Sequence, residues 1–220
     1  MADDQSRPKS ESTETSPDRG RATRRHVLGT TIWVGLGVAG LSAFAAAVRL
    51  VPRIVVTPDQ EPPVQGDLLV FAQGARSGQV LTVNDVPPDA LQVFAWPMDP
   101  GSKVVKRGDI HNLTLLVRAG NVSWFTSDEK LHTFKNVAAY SAVCPHLCCT
   151  VSDWRTGPTD GGAHGVLLCP CHLSRFDPWA GGRVLGGPSP RPLPILPLMP
   201  DPQDRLVVAG GFLTQVGCAT

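Results

Sequence analysis

Apolar and polar positions along the chain alternate on four different scales. Residues Met1 to Arg25 are polar, rich in Ser, Thr, Asp, Glu and Arg. They carry too little apolar surface to offset the entropy of ordering, which predicts a disordered tail over 1–25. From Val27 to Val48, 22 residues pass without a charge. At about 1.5 Å of rise per residue that is roughly 33 Å of helix, enough to cross a hydrocarbon core of about 30 Å. One transmembrane anchor is therefore predicted over 26–50. The stretch 51–66 has four prolines and no hydrophobic alternation, the composition of an extended, semi-rigid tether.

From Asp67 onward the apolar runs become short and are separated by turn residues: "DLLVFA" from Asp67, "QVLTV" from Gln79, "LQVFAW" from Leu91, "NLTLLVRAG" from Asn112 and "NVAAYSAV" from Asn136. "GVLLC" from Gly165, "GRVLG" from Gly182 and "RLVVAGGF" from Arg205 follow. Runs this short, with β-branched and aromatic content, predict an all-β antiparallel sandwich over 67–220. Composition agrees, because 22 glycines and 21 prolines break helix interiors and mark turns. A net charge of +1 with no basic stripe excludes a nucleic-acid footprint.

Charge also orients the anchor. Arg19, Arg21, Arg24 and Arg25 precede the apolar run and only Arg49 and Arg53 follow closely, so the positive-inside bias places the N-terminus in the cytoplasm. The head is then outside, at the cell (inner) membrane. A removable signal peptide is the alternative, with Ala45 and Ala47 in an Ala-x-Ala pattern. The run is longer than the roughly 7 to 15 residues of a signal core, which favours retention as a single-pass anchor.

Two Cys/His boxes carry the chemistry. The first, "CPHLCC", holds Cys144, His146 and Cys149, with Cys148 beside the last; the second, "CPCHLSRFD", holds Cys169, Cys171 and His172. Three readings compete. A structural Cys2His2 zinc site is opposed by the spacing, since neither box contains Cys-x-x-Cys. A disulfide staple suits an exported protein but leaves a histidine in each box unexplained. A [2Fe–2S] centre held by two cysteines and two histidines uses both residue types.

Both boxes resemble the Rieske family pattern, Cys-x-His-x-Gly-Cys followed by Cys-x-x-His, between Cys144 and Phe176. "GGPSPRPL", Gly186 to Leu193, is similar to that family's proline loop. "WPMDPGSKVVKRGD", Trp96 to Asp109, and "VAAYSAVC", Val137 to Cys144, resemble the iron–sulfur subunits of bacterial cytochrome bc-type quinol oxidoreductases. "TRRHVLG", Thr23 to Gly29, resembles the twin-arginine export signal, a route for proteins folded before export.

The resemblance implies a Rieske-type head with a cluster-binding subdomain near 141–192. It makes Cys144 and Cys169 ligands of the inner iron and His146 and His172 ligands of the outer one, and it pairs Cys149 with Cys171 as a disulfide. Ser174 takes the place of a hydroxyl that bonds a bridging sulfide, and Phe176 the place of a tyrosine in many high-potential members. The implied partners are a cytochrome b, a cytochrome c or c1 and quinol, with the catalytic role falling on His172 and His146. Neutral imidazoles in place of thiolates raise the potential, and each leaves one ring nitrogen free for a proton. With Phe176 unable to donate a hydrogen bond, the expected donor is menaquinol. The small Rieske subunit of an arsenite oxidase-type molybdoenzyme is the alternative resemblance.

The remaining candidates read more simply. His164 is expected to be a loop residue, His111 and His132 surface or turn residues, and Trp124, Trp154 and Trp179 packing residues. Cys148 and Leu173 stand where the family has glycine, and a positive φ there costs about 1 to 3 kcal/mol. Cys148 is expected to be a non-ligand thiol near the cluster, and Cys218 a free thiol or packing residue.

Overall fold

The computed structural model describes residues 24–50, 55–89, 91–157 and 162–218, and the chain divides into two units, Met1–Ile54 and Val55–Thr220. In the first unit the uncharged run lies in a 27-residue helix, α1 (Arg24–Leu50), with side chains described from 28 to 41. Leu28, Ile32, Trp33, Val34, Leu36, Val38 and Leu41 are exposed. Among the described residues no helix is long and apolar enough to cross a membrane. Of the anchor expected over 26–50 only the side chains of 28–41 are described, and residues 1–23 of the tail expected over 1–25 lie outside the described residues.

In the second unit short apolar runs become strands: β1 (Leu68–Phe71), β2 (Val93–Met98), β3 (Thr114–Arg118) and β4 (Val137–Ser141). They are followed by β5 (Asp153–Gly157), β6 (Gly162–Cys169), β7 (Ser174–Asp177), β8 (Arg183–Gly186), β9 (Leu198–Met199) and β10 (Val207–Val208). A six-stranded sheet has the order β4-β3-β2-β1-β10-β9 and a four-stranded sheet the order β5-β6-β7-β8. Every ladder is antiparallel, so the head is a mostly-β structure of two antiparallel sheets.

The alternation along β3 and β4 separates two cores. Leu115, Val117, Ala138 and Tyr140 pack with Val151, Leu167, Phe176 and Trp179 of the smaller-sheet region. Leu116, Val137 and Ala139 point the other way, onto Leu81, Val83, Val86, Phe134, Leu196 and Leu206. Because β4 is buried on both faces, its sequence is a continuous apolar run rather than an alternation.

The expectations fail in two instructive places. "QVLTV" makes only isolated bridges, Val70 to Val80 and Thr82 to Arg205, and then turns into the 3-10 segment Val83–Asp85, where the Asp85 carboxylate accepts from the Thr82 amide at 2.8 Å. Of the tether expected over 51–66, residues 51–54 lie outside the described residues and the stretch from Asp59 to Gly66 is fastened to the head at several points. Gly108 N donates to Asp59 O at 2.8 Å, Asn112 Nδ2 to Glu61 O at 2.8 Å and Gly66 N to Val208 O at 2.9 Å. The buried Lys106 ammonium donates to Pro62 O at 3.0 Å and to Asp67 Oδ2 at 2.7 Å. Prolines keep this segment extended, but the polar groups between them are satisfied by the head rather than by water.

Candidate metal centre

Both boxes fold into the same kind of turn, and the hydrogen bonds show why. In the first, Cys148 N donates to Cys144 O at 3.0 Å; in the second, Leu173 N donates to Cys169 O at 3.0 Å. Each turn is closed by a residue in the left-handed region, Cys148 at φ 58° and Leu173 at φ 61°. These are the two positions where the sequence has lost a glycine, and both pay the strain expected of them. Cys144 N also donates to Cys149 O at 2.8 Å. In the second turn Cys169 ends β6 and pairs directly with Ser174 at the start of β7.

These turns bring the predicted residues together. Cys144 and Cys169 are buried free thiols. The Cys144 sulfur lies within hydrogen-bonding reach of the Cys169 thiol, the Ser174 hydroxyl and the His146 amide. Burial pushes the Cys144 thiol up to about 11, ahead of smaller contributions from these neighbours. It is therefore protonated at neutral pH, and a metal bound there must displace that proton. The His146 and His172 rings meet edge to face with centroids 4.7 Å apart. Cys149 and Cys171 form a disulfide, joining the two turns. Its sulfurs and that of Cys169 lie within 4.8 Å of one another, but bonded cysteines offer no thiolates, so that trio is not itself a metal site.

Two buried thiols beside two facing imidazoles are the donor set that a Rieske cluster needs, and these side chains fit it. Ser174 is fully buried and accepts from Ser189 N at 3.1 Å, which ties the proline loop to the second turn. That loop approaches so closely that a side chain at Gly187, φ 88°, would meet Ser174 Cα at 2.5 Å. Phe176 is fully buried in the core that contains Cys144 and Cys169.

Other candidates fall away from this cluster. The His164 ring stacks on Trp124 at 3.8 Å, with Trp179 edge-on to Trp124 and to Trp154. His111 Nδ1 lies 2.7 Å from Asp109 Oδ1. Two expectations are corrected: Cys148 is not a free thiol, and Cys218 is neither free nor simply packed, because the two form a second disulfide. Parity was the available signal. Of six cysteines, two remain free and four are left to pair.

Residues 95–197 match the Rieske [2Fe-2S] domain model. A Rieske subunit named for respiratory nitrate reductase, from Haloferax mediterranei, is 36% identical over 104 residues, 47% of this chain and 44% of the relative. Cytochrome bc1 complex Rieske iron-sulfur subunits match at 34% identity in Corynebacterium diphtheriae, over 49% of this chain and 26% of the relative. In Mycobacterium tuberculosis the match is 27% over 89% of this chain and 52% of the relative. The chain thus spans between about a quarter and a half of these relatives' lengths. Among solved structures, the soluble domain of Rieske protein II from Sulfolobus acidocaldarius aligns with a TM-score of 0.33 at 24% identity, over 46% of this chain and 62% of that one. With the cysteine and histidine side chains gathered at two matched turns, residues 95–197 of this chain are a Rieske [2Fe–2S] domain.

Proposed function

We propose that this chain is the electron-transfer subunit of a respiratory bc-type complex, taking an electron and a proton from quinol, with menaquinol as the expected donor, and passing the electron to a cytochrome c or c1. The carrying observation is the pairing of buried Cys144 and Cys169 with the facing rings of His146 and His172 at the tips of two turns locked together by Cys149–Cys171. The bc1 relatives in Corynebacterium and Mycobacterium support the choice of complex.

When bound, the cluster supplies one-electron chemistry at a potential raised by its histidine ligands. The buried Cys144 and Cys169 would hold one iron, and His146 and His172 would hold the other. His172 is exposed, and in this reading its remaining ring nitrogen would hold the proton and meet quinol. Leu147 and Leu173, 59% and 63% exposed, flank the histidines as an apolar rim that excludes water once a membrane cytochrome b covers the tip. The Ser174 hydroxyl and the His146 amide donate toward the Cys144 sulfur and favour the more negative reduced state.

In this reading α1 is the membrane anchor, with the N-terminus cytoplasmic, the head extracytoplasmic and export by the twin-arginine route. Its uncharged run and the apolar side chains exposed around it from Leu28 to Leu41 support this. Because 59–66 are fastened to the head, the movable joint is shorter than the proline-rich stretch suggests. The Haloferax relative favours a second reading, a Rieske subunit serving a respiratory reductase of another kind.

A redox-poised EPR titration of membranes containing the full chain tests both. The expected result is a reduced [2Fe–2S] signal whose midpoint falls with rising pH, together with co-purification of a cytochrome b. A signal with a different membrane or molybdenum partner selects the second reading. No [2Fe–2S] signal from a cluster-replete preparation defeats both.

A further inference from the structure

The last described segment, Gly210–Cys218, has no part in either sheet, yet it is fastened at four points. Leu213 N donates to Ile195 O at 2.9 Å. The Arg191 guanidinium, reaching from the proline loop, donates through Nη1 to Gln215 O and through Nη2 to Gly217 O, the latter at 2.6 Å. Gly217, at φ 102°, lies so near His111 that a side chain there would meet His111 Nε2 at 3.0 Å. The Asp109 carboxylate holds that histidine by its Nδ1 at 2.7 Å and by its amide at 2.9 Å. Cys218 is bonded to Cys148, across a sequence separation of 70.

The two ends of this arrangement return to one residue, Cys144. From Arg191 the path runs inward: Ser189 Oγ donates to Arg191 O at 3.0 Å, Ser189 N donates to Ser174 Oγ at 3.1 Å, and the Ser174 hydroxyl reaches the Cys144 sulfur. From Cys218 it runs through the disulfide to Cys148, whose amide donates to Cys144 O at 3.0 Å. The two strained turns also differ in support. Leu173 is followed at once by β7, with Gly187 close against its carbonyl, whereas Cys148 is followed by a single antiparallel bridge, Val143 to Thr150, with Val151 N donating to Ala142 O at 2.8 Å, and β5 begins only at Asp153. The first turn therefore has the shorter ladder behind it, and its left-handed residue carries a covalent tie from outside, the bond to Cys218.

We propose that Gly210–Cys218 is a positioning strap for the cluster: it holds Cys148 in its left-handed turn by the disulfide and the proline loop in place through Arg191, and so fixes the hydrogen bonds around the Cys144 sulfur. This rests on Cys144 being a cluster ligand, as proposed above. Arg191 and Cys218 are positioning residues, since neither touches the ligand sulfur itself. Loosening the Arg191 end weakens the donation from Ser174, and loosening the Cys218 end frees the turn that holds Cys144 against that donor; a sulfur with weaker hydrogen bonds gives a lower potential.

The test uses the full-length, cluster-containing chain and its Cys218→Ser, Arg191→Ala and Arg191→Lys variants, with non-reducing peptide mapping, EPR-monitored titration and the rate of loss of visible absorption on warming. The unaltered protein is expected to yield a Cys148–Cys218 peptide. The Ser and Ala variants should show lowered midpoints, shifted g values and cluster loss about tenfold faster, with Arg191→Lys recovering part of the midpoint. Loss of the peptide, or faster cluster decay with unchanged g values and midpoint in both variants, overturns the proposal, the second outcome leaving only a structural staple. If the unaltered protein carries no [2Fe–2S] signal, the ligand assignment fails first, and peptide mapping alone then judges the strap.

Discussion

At the scale of single residues, the site is built from side chains whose neighbours decide their chemistry. Phe176 fills a fully buried position among the residues that surround Cys144 and Cys169, and it has nothing to donate. Replacing it with tyrosine adds one hydroxyl near the ligand sulfurs. One hydrogen bond of about 1 kcal/mol corresponds to roughly 40 mV for one electron, so Phe176→Tyr should raise the midpoint by about that amount. An EPR-monitored titration showing no rise would remove Phe176 from the list of tuning residues. The boxes themselves were legible in the sequence because ligand chemistry is local: the spacing of Cys144, His146, Cys169 and His172 survives without knowledge of the fold. The partner of Cys148 was not, since nothing near it in sequence distinguishes a thiol from half of a disulfide closed 70 residues away.

At the scale of elements, the short helix α2 (Ser127–Lys130) connects the two sheets through Glu129. Tyr140 Oη, on β4, lies 2.6 Å from Glu129 Oε1 and 2.6 Å from Pro178 O, just past β7. One phenol hydrogen cannot serve two acceptors. A proton on Glu129 resolves the conflict: the acid donates to Tyr140, and Tyr140 donates to Pro178 O. Burial pushes the Glu129 carboxyl up from 4.5, with the Asp177 charge adding to it and the Tyr140 hydrogen bond opposing. A raised folded-state value means that this group's contribution to stability is fully present below pH 4.5 and is lost as the pH rises through the raised value. Glu129→Gln, which keeps a donor without a titrating proton, should flatten this part of the pH dependence. Unfolding midpoints measured from pH 4 upward check it: equal slopes in the two proteins would contradict a neutral Glu129. The strands that the sequence missed, β5, β7 and β9, are short or polar, and they exist because neighbouring strands supply their ladders.

At the scale of the whole molecule, Lys106 decides how early in the chain the head begins. Its side chain is 4% exposed and that of Asp67 2%, and together they draw 59–67 onto the body of the protein. Lys106→Met leaves a buried carboxylate unpaired and should cost about 3 to 5 kcal/mol, with Asp67→Asn in the same chain restoring part of the loss. Chemical denaturation of the two variants measures this. A loss below about 1 kcal/mol would place the pair among exposed ion pairs, and 59–66 would again count as free tether.

By itself the sequence determined the candidate ligand set, the mostly-β character of the head and the uncharged run ahead of it. Each of these depends on residue type and short-range spacing. Only the tertiary structure decided that Cys148 pairs with Cys218, that the stretch from Asp59 to Gly66 is fastened to the head and how Gly210–Cys218 reaches the two turns. Those outcomes depend on contacts between residues far apart in the chain, whose favourable energy appears only once the sheets have brought them within a few ångströms.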